Sequence, residues 1–212
     1  MFGEQLTGPG RGITDPRVLA AMDAVPRDEF VPPPSRPLAY ADTPLPIGCG
    51  QTISQPFIVA FMTQALAPKP SDRVLEIGTG CGYQAAVLSR LVAVVCTMEI
   101  IDSLARRAEE DLRRLGYANV RVRVGDGFHG WPEAAPFDAI LVTCAPDRVP
   151  PPLLAQLKTG GRMVIPTGRE GAQELCVLEK RGDGLARRSV MPVRFVPMTG
   201  AGVRAAGGGN FY

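Results

Sequence analysis

The chain has 212 residues, 45% of them hydrophobic, and a formal net charge of +2 from 23 basic and 21 acidic side chains. That is enough apolar material for a full core and most simply for one globular domain. The charges are spread without the basic stripe of a nucleic-acid binder, and no apolar run approaches the roughly 20 residues that span a bilayer. Neither nucleic acid nor a membrane is therefore an expected partner, and a monomer is the expected state.

Five cysteines, at 49, 81, 96, 144 and 176, show neither metal-ligand spacing nor the density of a disulfide-stapled scaffold. They read as reduced, mostly buried thiols, and no metal is expected. The opening "MFGEQLTGPGRG" lacks the apolar stretch of a signal peptide, so the expected compartment is the cytoplasm.

In chain order, Asp15 followed by Pro16 marks a helix start, with Val18, Leu19, Met22 and Val25 on one face and Pro26 as the stop. Prolines at 32, 33, 34, 37, 44 and 46 predict an extended, non-helical cover from Phe30 to Pro46. The stretch "IGCGQTISQP" from Ile47 to Pro56 reads as a polar, glycine-broken loop leading into a helix through Leu66, with Ser54 as its N-cap. Arg73–Ile77 is a strand running into Gly78, Gly80 and Gly82 and then into a helical pattern through Leu91.

Val92–Met98, rich in β-branched residues and ending at Glu99, is a second strand. Ile101–Leu115 is a helix with Leu104, Ala108, Leu112 and Leu115 as its stripe, expected pairs Glu109–Arg113 and Glu110–Arg114, and Gly116 as the stop. Val120–Val124, Phe137–Thr143 and Arg162–Pro166 are further strands, with a short helix at Leu153–Leu157 and a turn at Lys158–Gly161. Glu174–Lys180 and Val190–Val196 read as strands joined through "RGDG". The order predicts an α/β, doubly wound Rossmann-like fold whose mostly parallel sheet has an antiparallel edge, behind an N-terminal helical and loop extension.

Ligands of such sheets sit at the carboxyl ends of the strands. Three successive strands end in marked groups: Glu76 with the glycine loop, Glu99, and Asp126 beside Gly127. Glycines admit a ligand close to the backbone, an acid ending the second strand suits ribose hydroxyls, and Asp126 suits an adenine amino group. The loop is G-x-G-x-G with Tyr83 where the dinucleotide fingerprint has its third glycine, which disfavours NAD. Glu76 suits a cofactor with a cationic amine, and S-adenosylmethionine carries both adenosine and such an amine.

The segments "VPRDEFVP", "LPIGCGQTISQP", "RVLEIGTGCGYQ", "GDGFHGW", "PFDAILVTCAP", "LKTGGRMVIPTG" and "VRFVPM" resemble, in order, those of the protein-L-isoaspartate O-methyltransferase family, from residue 12 to about 198. The glycine loop alone indicates only the wider S-adenosylmethionine-dependent methyltransferase class, whereas "GQTIS" is specific to this family. The resemblance implies one methyltransferase domain over 1–198, with 1–70 as cover and active-site loop and 71–198 as cofactor-binding sheet. The glycine-rich tail 199–212, which includes "AAGGGNFY", lies outside it and is expected to lack fixed structure.

It further implies repair chemistry: methyl transfer to the free α-carboxylate of L-isoaspartyl residues in damaged proteins and peptides, leaving S-adenosylhomocysteine. The ester then closes to a succinimide that returns partly to aspartate. Ser54 is the implied catalytic residue and also a substrate contact. Thr52, Ile53 and Val59 join Glu76, Gly78, Gly80, Glu99, Asp126 and Gly127 around the cofactor; Ile47, Thr143, Ala145, Val196 and Met198 are implied substrate contacts.

The chemistry agrees with what the sequence lacks. A carboxylate with a pKa near about 4 is already ionised at pH 7, so no general base is required and the lone His129 need not be catalytic. Holding nucleophile and methyl group in line is worth up to about 7 to 11 kcal/mol. Two other readings stay open: an enzyme dedicated to one peptide, and a non-catalytic adenosine-cofactor binder, for which the "GQTIS" loop would have no use. Cys49 within that loop is read as incidental.

Overall fold

A computed structural model describes residues 2–8, 12–182 and 184–202. A helix that the sequence does not announce, α1 (Gly3–Thr7), has Leu6 fully buried, as is the preceding Phe2, and is tied down by Phe2 N donating to Asp23 Oδ1 at 2.9 Å. Helix α2 (Pro16–Ala24) forms where the Asp-Pro signal placed it, the Asp15 carboxylate accepting from Arg17 N. The proline-rich cover is not wholly extended: Pro33–Leu38 is a 3₁₀ turn. Proline's fixed φ suits the first turn of a helix, and 3₁₀ turns are used in such short pieces.

The loop opening on "IGCGQTISQP" is a small antiparallel hairpin, β1 (Leu45–Gly48) and β2 (Gln51–Ile53), pairing Leu45 with Ile53 and Pro46 with Thr52. Its turn holds three successive residues at positive φ, Gly48 (96°), Cys49 (52°) and Gly50 (70°), so both glycines have a steric reason to be there. Helix α3 (Pro56–Leu66) follows with Gln55, not Ser54, as its N-cap and with no side-chain capping bond. The expected cap at Ser54 is thus replaced by Pro56 in the first turn, which has no N–H to satisfy.

Strand β3 (Arg73–Ile77), helix α4 (Tyr83–Ser89), strand β4 (Val94–Glu99), helix α5 (Asp102–Arg114) and strand β5 (Val120–Val124) come next. β4 begins two residues later than expected because Leu91 and Val92 pack beyond the end of α4. On α5 the stripe Leu104, Ala108 and Leu112 is buried as expected, but the ion pairs differ. Arg106 pairs with Asp102, Arg107 with Asp111, and Arg114 with Asp111 and Glu29, in place of the Glu109–Arg113 and Glu110–Arg114 pairs. Aspartates one turn away on the same helix and an acid from the N-terminal cover take these guanidinium groups, and exposed glutamates gain little from competing.

After strand β6 (Phe137–Val142) and helix α6 (Pro151–Gln156), strand β7 runs over Leu157–Thr167. It absorbs the expected turn at Lys158–Gly161 as a bulge, because pairing jumps from Phe137↔Leu157 to Ala139↔Arg162. Strands β8 (Gln173–Arg181) and β9 (Gly184–Val193) form the expected hairpin, but β9 starts at the turn and stops at Val193, so Arg194 to Val196 leave the sheet. The seven strands lie in the order β5-β4-β3-β6-β7-β8-β9, parallel except for β8 and β9.

Period-two alternation splits the core between the faces: Val74 and Val95 pack toward α2 to α5, Leu75 and Cys96 toward α6. The expected tail also needs adjustment at its start, for Gly200–Gly202 form a 3₁₀ turn; residues 203–212, including "AAGGGNFY", lie outside the described residues.

Candidate active site

Sheet order reverses between β3 and β6, and there the two strand ends are tied together. Thr143 N donates to Ile77 O at 2.9 Å, and Thr143 Oγ1 lies 3.0 Å from Ile77 O and 2.8 Å from Gly78 O. On the other side Gly78 N and Thr79 N both donate to Met98 O, at 2.8 and 3.1 Å. Gly78 has a φ of 95°, and any Cβ there would run into Thr143 Oγ1. The loop is thus held between β4 and β6 with its backbone bare on the side where a ligand enters.

Glu99, almost fully buried at the end of β4, spans the loop's other flank: Oε2 accepts from Gly80 N at 2.8 Å and Oε1 from Ile101 N at 3.0 Å. Each oxygen keeps a lone pair, and Glu99 lines an open hollow of about 590 Å³ beside the apolar Ile77, Met98, Ile100 and Ile101. Gly127 lines the same hollow, and a Cβ there would collide with Ile77. A slot with apolar walls beside a carboxylate suits a nucleoside cofactor.

Two further hollows adjoin it. The first, about 350 Å³, is walled by Ile53, Ser54, Val59, Gly80 and Gln84; the second is a groove of about 1040 Å³ between Ser54 to Ile58 and Met191 to Val196. Thr52 and Thr143 line all three, and Ser54 lines the last two. The Ser54 hydroxyl has no hydrogen-bond partner among the described residues, so the side chain freed from capping α3 is available at the junction.

Other expected contacts are placed less directly. Glu76 is fully buried and lines none of these hollows; neither carboxylate oxygen has a partner. Burial, countered in part by the neighbouring Thr97 hydroxyl and reinforced by the charge of Glu99, pushes its pKa up to about 8. An unpartnered carboxylate under the glycine loop is what a cofactor bearing a cationic amine would match, so the residues present fit such a group.

Asp126 is occupied: Oδ1 accepts from Phe128 N at 2.9 Å and Oδ2 from Ala201 N at 2.7 Å. Ile47 is buried with its Cδ1 against Gly80 and supports the loop from behind. Ala145 is buried too and works through its backbone, its N donating to Val196 O and its O accepting from Met198 N, both at 2.9 Å. Val196 and Met198 line the cofactor hollow, and Val196 the groove as well. His129 is exposed and lines no part of the site.

Gln173 was not singled out in the sequence. It is buried at the start of β8; its Oε1 accepts from Phe195 N at 2.6 Å and its Nε2 donates to Phe195 O at 3.1 Å, fixing the groove wall where the chain leaves the sheet. A glutamine opening an apolar strand run was the available signal. Cys144 was likewise missed as lining; burial drives its thiol up to about 12, so it stays neutral.

Residues 6–202 match the family described as protein-L-isoaspartate(D-aspartate) O-methyltransferase. The chain belongs to the protein-L-isoaspartate O-methyltransferase family. It is 55% identical over 199 residues to protein-L-isoaspartate O-methyltransferase 2 of Polaromonas sp., covering 93% of this chain and 94% of that one. It is also 55% identical over 200 residues to the enzyme of Gloeobacter violaceus, covering 94% and 97%.

Among solved structures, a protein-L-isoaspartate O-methyltransferase aligns at a TM-score of 0.82 and 33% identity over 89% of this chain and 62% of that one. A putative Plasmodium falciparum family member, in complex with S-adenosyl-L-homocysteine, aligns at 0.77 and 25% over 89% and 93%. The seven-stranded sheet and glycine loop are therefore those of a family methyltransferase.

Proposed function

We propose that the chain methylates the free α-carboxylate of L-isoaspartyl residues in damaged proteins and peptides, the ester then closing to a succinimide that returns partly to aspartate. The observation that carries this reading is the meeting of the three hollows at Thr52 and Thr143, with an unpartnered Ser54 hydroxyl at the mouth of two of them. S-adenosylmethionine, when bound, supplies an electrophilic sulfonium methyl group. Glu99 accepts from its ribose hydroxyls, Gly78, Gly80 and Gly127 give it close backbone approach, Glu76 offers a counter-charge to its amine, and Thr52, Ile53 and Val59 border its amino-acid end.

In this reading the wide groove takes the peptide. Ser54 Oγ donates to one carboxylate oxygen and leaves the other free to attack, and Met191 to Val196 form the facing wall, with Met198 behind it on the cofactor side. No side chain has to remove a proton, since the carboxylate is ionised at neutral pH. What the protein supplies is orientation.

We place the catalytic unit in one domain, 1–70 serving as cover and loop and 71–198 as cofactor-binding sheet, and we place it in the cytoplasm as a monomer. The five free cysteines support a reducing compartment. The test is a pair of peptides differing only in an isoaspartyl or an aspartyl linkage. Labelled methyl transfer to the first alone is the expected result; equal labelling of both, or of neither, overturns the reading.

A further inference from the structure

The peptide groove has one ionisable side chain among its described lining residues, Arg194. It stands where the chain has just left β9, is exposed, and has no ion pair or hydrogen bond among the described residues. The rest of the lining is apolar or neutral. The charged side chains around this end of the sheet bond to neutral groups: Glu174 accepts from Ser189 Oγ at 2.9 Å, Arg187 donates to Thr167 Oγ1 at 3.1 Å and also contacts Cys176 Sγ, and Asp42 accepts from Phe57 N at 2.9 Å.

Arg194 is also held in register. Its neighbour Phe195 is clamped through both backbone groups by Gln173, and Val196 O is taken by Ala145 N. The base of the arginine stem is therefore fixed, while its guanidinium has no bonded partner among the described residues and Arg194 lines the groove. It lines neither of the hollows that reach the glycine loop, so it faces peptide residues beside the reacting one. A guanidinium on the reacting oxygens would in addition stabilise the ionised carboxylate and blunt its attack.

We propose that Arg194 is a specificity residue that favours isoaspartyl substrates carrying an acidic side chain directly next to the damaged residue and disfavours basic ones. This rests on the peptide-methylating reading above. The guanidinium is in contact with solvent, so its preference is that of an exposed ion pair, about two- to fivefold in kcat/KM at low salt, and it fades as ionic strength rises.

The experiment uses isoaspartyl peptides identical except for Glu, Gln or Lys immediately before or immediately after the isoaspartyl residue, with the wild-type chain and the variants Arg194→Ala and Arg194→Glu. Ratios are read within each protein, so a change in overall turnover does not obscure them, and circular dichroism checks that the variants fold. The wild type is expected to prefer Glu over Lys at one of the two positions, the preference shrinking in 0.5 M NaCl on the order of the screening expected there. Arg194→Ala should bring the ratio close to one and Arg194→Glu should invert it. A ratio that survives Arg194→Ala, or no charge preference in the wild type at either position, overturns the proposal while leaving the repair reading intact. Failure of every isoaspartyl peptide to be methylated overturns both.

Discussion

Thr143 Oγ1 lies 2.8 Å from Gly78 O, so one hydroxyl joins the ends of β6 and β3 where the sheet order reverses. The same oxygen occupies the space that a side chain at position 78 would need. Gly78→Ala is therefore expected to disrupt the loop twice over, through the clash and through its φ of 95°. Cofactor binding measured by calorimetry should be lost, with a fall in thermal midpoint. Thr143→Ser, which keeps the hydroxyl, should retain binding better than Thr143→Val, which costs about 1 kcal/mol of stability as well.

Ser54→Ala should leave cofactor affinity nearly unchanged, because the hydroxyl caps no helix and bonds to no neighbour. Turnover should fall about 10- to 100-fold, the worth of a hydrogen bond to a charged group. Steady-state kinetics with an isoaspartyl peptide, beside calorimetry, separates the two effects; unchanged turnover would remove Ser54 from the mechanism.

Glu76 gives a pH dependence of definite sign. Its folded pKa, raised to about 8, exceeds the unfolded value of 4.5. The folded state thus holds the proton more tightly, and this contribution to stability is complete below the unfolded value and is lost as pH climbs toward 8. The cofactor-free protein should melt at progressively lower temperature across that window, and Glu76→Gln should flatten the slope. Binding of a cationic amine beside the carboxylate would release a proton, which calorimetry in buffers of different ionisation enthalpy detects.

Gln173→Ala removes both bonds to the Phe195 backbone, and the expected result is a rise in peptide KM with cofactor affinity preserved. Gln173→Glu keeps an acceptor for Phe195 N and loses the donor to Phe195 O, so its KM should fall between wild type and Gln173→Ala. Equal KM values across the three would deny the clamp any part in shaping the groove.

Much of this was legible in the chain. The strand β3 is bounded as the sequence predicts, since a short five-residue run with three apolar residues, closed by glycines, leaves little choice. The hairpin at Leu45–Ile53 was read as a loop because its strands are too short for alternation to register and its pairing depends on a turn of three positive-φ residues. Proline and serine before α3 competed for the helix start, and local propensity alone could not rank them. The occupation of Asp126 by Ala201, and of Phe195 by Gln173, joins residues 75 and 22 positions apart. Such long-range bonds leave no periodic trace.

The reversal of the last two strands has a consequence for synthesis. Because β8 and β9 run antiparallel, the chain comes back to the carboxyl end of the sheet, and Val196 to Thr199 complete a hollow whose floor was laid down more than a hundred residues earlier. A nascent polypeptide emerging from its amino end can form the glycine loop and the hairpin with Ser54, yet it has no second wall until nearly everything has been translated. Ribosomal products that stop after β9 would lack this enclosure, together with the buried Met198 and the bonds that Gln173 and Ala145 make to residues 195–198.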